Sequence, residues 1–359
     1  MKTYELLTIF KPNLDAEEVD KAVESLGKLV ADFGGKVEST DKSGRKKLAY
    51  DIANFRDGFF VTTELSLPAE KVAELSGGKL VCEVLAGNSV GGERELCESL
   101  QLGTMEMCYT SDIGINSCIS TIGWAFSPMM ITTWEDADKY YNNGWISEKI
   151  SEYMEEAGLI RLGEATNSIR SFCTTGKEVV YPDDLKGLKV RVPTLDMLVT
   201  FYEKMGAMSV SVATSEQVAA LEQGVCEAVD NNLYGHVTNG IYDYLSVYCP
   251  IDYMYNGGAI IASAEWYNSL PEQYQAWVKE AAQYAGDYQK NGIHDAEQEL
   301  IASMSEPGSK MKLVPVSDEL MQACHKAAVE TFNQYSSEFE PEIVELVKEQ
   351  YSLSKWNLE

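Results

Sequence analysis

The sequence predicts an α/β protein in two modules. The first is an incomplete ferredoxin-like α+β unit over residues 1–75, and the second a larger α/β part over residues 76–359. Three observations point there. Residues 1–78 carry 11 basic and 14 acidic side chains, against 18 and 42 in residues 79–359, an asymmetry that suggests two segments of different origin. The first segment runs strand, helix, strand, strand, helix, which is a split β-α-β unit without its last strand. The second alternates short apolar strands with helices, the pattern of α/β lobes on mainly parallel sheets.

The elements follow in order. Residues 3–10 alternate as a strand. Asn13 can cap a helix over residues 15–32, with Val19, Val23, Leu26 and Val30 on one face and Gly34-Gly35 as its stop. Strands at 36–39 and 46–53 flank a polar turn at 41–44, a further strand spans 59–67, and Pro68 opens a short helix through Leu75. Beyond it come a strand at 79–86, a helix at 93–102, a strand at 105–109 and a polar loop at 110–116. Helices at 134–141 and 146–157 precede strands at 159–163 and 169–175. Residues 181–232 then give a turn, a strand bearing Arg191, a helix, a second strand, another helix and a polar Asp230-Asn231-Asn232 end. A strand at 245–248, a long helical region from Ala264, a brief strand at 312–314 and helices at 318–337 and 340–354 complete the chain, the helical tail packing across both lobes.

Composition excludes several classes. A net charge of −27 repels nucleic acid and anionic membrane. Eight cysteines without a C-x-x-C, and only three histidines, argue against a metal site, although a disulfide stays open. No apolar run approaches the ~18 residues of a membrane span. The start, MKTYELLTIFKP, is too short in apolar core for a signal peptide, so the chain as written reads as cytoplasmic. Cys324-His325 is the closest Cys/His pair, but neighbours on a helix point about 100° apart. His236 and His294 have no acidic cluster at metal spacing, and no G-x-S-x-G, Walker or phosphate-cradling glycine loop occurs. Nothing calls for an enzyme or a cofactor.

Two family resemblances rest on specific residues. Tyr4-Glu5, Lys11-Pro12, Gly34-Gly35-Lys36-Val37, the run from Gly44 to Tyr50 with Ile52, and Arg56-Asp57-Gly58-Phe59-Phe60 resemble bacterial small-subunit ribosomal protein six over residues 1–75. That resemblance implies contact with ribosomal RNA through Arg45, Lys46, Lys47 and Arg56, with Tyr50 near them. A solvated basic hairpin is the plainer alternative.

The second part resembles the solute-binding proteins of TRAP transporters, the DctP type, over residues 77–345. The carrying residues are Gly91-Gly92-Glu93-Arg94-Glu95-Leu96, Gln101-Leu102-Gly103-Thr104-Met105-Glu106-Met107, the run from Asp184 to Val192, Ser215-Glu216, the run from Ala220 to Val225, and Ser269-Leu270-Pro271 with Gln273. The resemblance implies a two-lobed, periplasmic-binding-protein-like fold with a hinge, closing outside the cytoplasm on a small organic acid and passing it to membrane permease subunits. The family's first strand and helix have no counterpart before Gly77, which makes the joint read as a fusion of two truncated modules.

An arginine flanked by two valines on a strand offers a permanently charged fork that suits a carboxylate. By the resemblance Arg191 is that clamp, Arg170 a second arginine, and Asn231 an asparagine that closes the site from the far lobe. Each has a plainer alternative: a solvent-facing strand arginine, an ion pair between lobes, and a loop-start asparagine bonding its own backbone. Tyr234, Asn167 and Thr110 are further candidate pocket linings. Thr214 and Gln217 have the spacing of a capping box.

Overall fold

The computed structural model describes residues 3–10, 19–21, 23, 36–52, 55–66, 75–83, 91–212 and 214–357. The chain forms two compact units, Met1–Gly87 and Asn88–Glu359.

In the first unit, β1 (Thr3–Phe10), β2 (Lys36–Ile52) and β3 (Phe55–Ser66) form a sheet in the order β1-β3-β2. β3 runs antiparallel to both neighbours, as a split β-α-β unit requires. Val19, Asp20, Lys21 and Val23 are helical, inside the predicted 15–32 span. The rest of that helix, Gly34-Gly35 and residues 68–74 lie outside the described residues; Leu75 is helical. The two strands expected at 36–39 and 46–53 are one strand. The register steps from Lys42 opposite Val61 to Gly44 opposite Phe60, so the polar residues of the expected turn are absorbed as a bulge. The strand expected at 79–86 is irregular through Glu83, and its remainder lies outside the described residues.

The second unit is built on a mixed sheet. Its elements are α1 (Glu93–Gln101), β4 (Met107–Ser111), α2 (Asp112–Asn116), a helical stretch over residues 134–142, α3 (Trp145–Glu156), β5 (Leu159–Thr174), β6 (Lys189–Val192), α4 (Asp196–Lys204), β7 (Met208–Ser211), α5 (Gln217–Glu222), β8 (Ala228–Asn232), α6 (Leu233–Thr238), β9 (Val247–Ser263), α7 (Ala264–Ser269), α8 (Glu272–Ser303), β10 (Lys312–Leu313), α9 (Asp318–Tyr335) and α10 (Pro341–Ser352). The strand order is β10-β9-β5-β8-β6-β7, with β4 also on β9.

Parallel pairing is confined to β6 with β7 and β8, and β10 with β9. The expected mainly parallel sheet gives way because β5 and β9 pair antiparallel along almost their whole length. Each carries the chain from one lobe to the other, in opposite directions. Residues 159–166 of β5 pair with 257–263 of β9 in the first lobe, alongside β4. Residues 169–174 pair with β8 and the start of β9 in the second.

Several boundaries move accordingly. The loop expected at 110–116 is the end of β4 plus α2, whose cap is the Ser111 hydroxyl accepting from Gly114 N–H. The strands expected at 159–163 and 169–175 are one, and the strand at 245–248 continues for 17 residues as β9. Gly257 in β9 is not a breaker but a fitting residue, since a Cβ there would lie 2.3 Å from the Tyr141 ring. Likewise α8 lies directly on β5, where a Cβ on Gly286 would meet the Glu164 carbonyl oxygen at 2.0 Å.

The crossing between lobes is bent at two places. Ser168 has φ 61° and Asp252 has φ 46°, a left-handed region that an aspartate tolerates and a serine rarely adopts. The β5·β9 register breaks between Thr166 and Ile169 and again between Arg170 and Phe172. Glu297, buried on α8, ties the bend down. It accepts from the Ser168 hydroxyl with one oxygen and from Tyr234 N–H, at 3.2 Å, with the other. The helical tail spans the unit as expected: Tyr351 of α10 donates to the Pro128 carbonyl at 2.8 Å, and Tyr335 of α9 bonds Thr200 of α4 at 2.9 Å.

Candidate functional site

β6 lies between β7 and β8 and is buried on both faces, so Arg191 is an interior residue with 1% exposure. The solvent-facing alternative does not hold. Its guanidinium donates from Nε and Nη2 to the Val212 carbonyl at 2.8 and 2.6 Å, and from Nη1 to the Asp230 carbonyl at 3.2 Å. None of these acceptors is a carboxylate. Burial, then repulsion from Arg170, push its pKa down to about 10.

Arg170, on β5, is also buried. It donates from Nε to Asp230 Oδ1 at 3.1 Å, from Nη1 to Asn231 Oδ1 at 3.4 Å, and from Nη2 to the same Asp230 carbonyl at 2.8 Å. Burial alone would lower its pKa, but the Asp230 charge and Tyr253 hold it above the usual arginine range. The ion-pair alternative is therefore present, within one lobe rather than between lobes. Asp230 accepts a second bond on Oδ2 from the Tyr253 hydroxyl at 2.6 Å. Burial raises the Asp230 carboxyl, against the opposing pull of Arg170, Tyr253 and Arg191. A guanidinium has five N–H donors, and Arg170 and Arg191 each spend three of them in these bonds among the described residues.

The folding that makes this centre is local. β5, β8 and β6 are adjacent strands, with Ser171 opposite Asn231, Arg170 opposite Asn232 and Arg191 opposite Val229. Asn231 therefore belongs to the same lobe as Arg191, not the far one, and ends a strand rather than a helix. Its Oδ1 also accepts its neighbour's N–H, from Asn232 at 2.9 Å, so its self-satisfying role and its contact with Arg170 coexist. Tyr234 is half-buried on α6, held through its N–H by Glu297. Asn167 is half-buried at the bend beside Ser168. Thr110 is buried on β4 in the first lobe; its hydroxyl bonds the Ser111 carbonyl at 3.5 Å, and no hydrogen bond joins it to the arginine pair. The structure thus brings together Arg170, Arg191 and Asn231. Gln217 donates through Nε2 to the Thr214 carbonyl at 3.1 Å, a contact other than the capping box its spacing suggested.

Sequence reasoning missed Asp230 as counter-ion, Tyr253 and His236. His236 on α6 is fully buried, and neither ring nitrogen has a hydrogen-bond partner. Burial, then the charges of Arg170 and Arg191, push its pKa down to about 3, so the ring is neutral. The Asp-Asn-Asn run was the available signal for Asp230. Tyr253 is distant in sequence, and His236, five residues beyond Asn231, sits in no motif that marks it as part of this centre.

A second buried cluster occupies the first lobe. Arg161 reaches Asp112 at 2.7 and 3.2 Å, Glu164 at 3.0 and 2.7 Å, and the Gly258 carbonyl at 3.1 Å. Tyr141 donates to Asp112 Oδ2 at 2.8 Å. Burial alone would lower the Arg161 pKa, but Asp112 and Glu164 hold it far above the usual range. The cysteines of this unit, from Cys97 to Cys324, are thiols rather than disulfides. Among the described residues there is no metal-holding cluster, and no helix is long and apolar enough to cross a membrane.

Residues 56–338 match the model of bacterial extracellular solute-binding protein, family 7. The chain belongs to that family. Residues 3–78 match the model of ribosomal protein S6, so the two matches overlap at residues 56–78. Among curated relatives, the C4-dicarboxylate-binding protein DctB of Bacillus subtilis is 23% identical, with 85% of this chain and 90% of the relative covered. The small ribosomal subunit protein bS6 of Acidobacterium capsulatum is 42% identical over 72 residues, which cover 20% of this chain and about half, 51%, of that protein. Solved structures of family members share the fold. A TRAP periplasmic solute-binding protein from Chromohalobacter salexigens with bound D-glucuronate gives TM-score 0.71 at 22% identity, covering 80% of this chain and 93% of that one. One from Haemophilus influenzae with bound L-gulonate gives 0.71 at 20% identity, covering 79% and 92%.

Proposed function

We propose that this chain is the extracytoplasmic solute-binding subunit of a TRAP-type transporter, closing its lobes on the carboxylate of a small organic acid and handing it to membrane permease subunits. One observation carries the reading: Arg191 is a buried cation with no carboxylate partner among the described residues. A desolvated guanidinium held only by carbonyl oxygens is costly unless an anion completes it. The two guanidiniums would supply a bidentate clamp, with Asn231 beside them. Closure about the bends at Ser168 and Asp252 would exclude water from the ion pair. Family members carry D-glucuronate and L-gulonate in their structures, and the Bacillus relative is named for C4-dicarboxylates, all of them carboxylates. The role needs no catalytic step and no cofactor. Isothermal titration with mono- and dicarboxylates, on wild type and Arg191→Ala, tests it. Equal binding by the two proteins sinks the clamp, and a broad melting transition insensitive to every acid would mean that the lobes close on nothing.

A second reading applies to the first unit. Arg45, Lys46 and Lys47 stand opposite Phe59, Gly58 and Asp57 on the β2–β3 hairpin, so with Tyr50 and Arg56 they gather toward one end of it. We infer an RNA-facing hairpin from this placement and the ribosomal-protein match. Co-sedimentation with ribosomes that survives moderate salt would support it; loss of association at low salt would reject it.

A further inference from the structure

We propose that the arginine centre selects monoanions, a single carboxylate with a neutral hydrogen-bonding tail, and that Asp230 is the residue that discriminates against dicarboxylates. This rests on the carboxylate reading above and adds the charge of the ligand to it.

The groups in question are two guanidiniums and one carboxylate, all buried. Both oxygens of Asp230 are taken by donors, Arg170 Nε and the Tyr253 hydroxyl, which is the bonding pattern of an ionised carboxylate. Ionised, its charge is set against Arg170, its ion-pair partner. One unit of positive charge is left for a ligand, located on Arg191. The charges acting most strongly on these three groups are one another. A monocarboxylate brings the buried set to neutrality. A dicarboxylate carries it one charge past neutrality, and an unmatched charge away from water is strongly disfavoured.

His236 adds the second half. Its ring is fully buried on α6, the helix that the Asn232 side chain caps directly after Asn231, and neither nitrogen is hydrogen-bonded among the described residues. A neutral imidazole offers one donor and one acceptor, which a hydroxyl satisfies at either nitrogen and a second carboxylate satisfies only at the N–H. The ligand class assigned is therefore a hydroxylated monocarboxylic acid.

The test uses the full chain and two matched pairs of acids that differ in the second carboxylate: glycerate against tartronate, and gluconate against glucarate. Titration calorimetry at pH 8 should show at least one monoacid bound tenfold or more tighter than its diacid. Asp230→Asn should narrow or invert that ratio, while Asp230→Glu, keeping the charge, should retain it. His236→Ala should weaken the hydroxylated monoacid tenfold and leave propionate unchanged. If wild type binds either diacid as tightly as its partner, through Arg191, the selectivity is wrong and the carboxylate clamp stands. If none of the four acids binds, or binding survives Arg191→Ala, both fall. Should Asp230→Asn fail to fold, the wild-type ratios decide the matter alone.

Discussion

Arg161 and Arg191 are both buried guanidiniums in the same unit, yet their surroundings differ in kind. Arg161 directs every nitrogen at a carboxylate and adds a carbonyl, inside a set with one more negative than positive charge. Arg191 meets only carbonyls and shares the single charge of Asp230 with Arg170. The first cluster is complete without a ligand and has the character of a structural pin between α2 and β5. The second holds two guanidiniums against one carboxylate among the described residues. Counting charges against partners separates the two roles where burial alone does not.

The sharpest way to break the comparison is to remove one partner from each. Asp112→Ala should cost about 3–5 kcal/mol in denaturant unfolding, because it removes one of the two carboxylates that hold buried Arg161 and the acceptor of the Tyr141 hydroxyl. Arg191→Ala should lie within about 2 kcal/mol of wild type in stability, since two carbonyls lose a donor but a desolvated charge is relieved. The same variant should lose about 2–5 kcal/mol of affinity for a carboxylate by calorimetry. A large stability loss in Arg191→Ala would put it with Arg161 and against a ligand site.

A smaller effect comes from protonation at the bend. Burial pushes the Asp252 carboxyl up to about 6, so the folded form binds a proton more tightly than the unfolded chain. The stability this provides is complete below about pH 3.8 and is lost as pH rises to about 6. His236, pushed down to about 3, acts the other way, with stability lost as pH falls from about 6.5 toward 3. Melting curves over pH 3–7 for Asp252→Asn and His236→Gln should each remove one limb, with amplitudes of about 3 kcal/mol for the first and about 5 kcal/mol for the second. Smallest of all, Lys312→Ala loses an exposed pair with Glu178 and should leave unfolding unchanged within measurement error.

Much of this was legible in the sequence, and the failures have physical causes. The alternation of Val190, Arg191 and Val192 predicted β6, and Arg170, Arg191 and Asn231 do meet. What local pattern could not supply was pairing. β9 was seen only at its start because Pro250 and Gly257-Gly258 are strand breakers by propensity. In the fold they fit a central strand crowded by Tyr141. The turn at 41–44 was read from the same residue types, and a bulge accommodated them. The lobe of Asn231 is not legible in sequence because lobe membership depends on where β5 and β9 bend, which rests on the left-handed backbone at Ser168 and Asp252 rather than on any periodicity. Asp230 was hidden by its chemistry: an aspartate at a strand end resembles a turn former until its partner strand is known.

The oxygen that Arg170 and Arg191 share is the main-chain carbonyl of Asp230. No mutation at position 230 deletes that atom. The spacing of the two forks is inherited with the strand order, so it persists through any change of side chain there, while the side chains around it stay free to vary. A scaffold of this kind keeps the spacing of its two guanidiniums over evolutionary time while the side chains around them change.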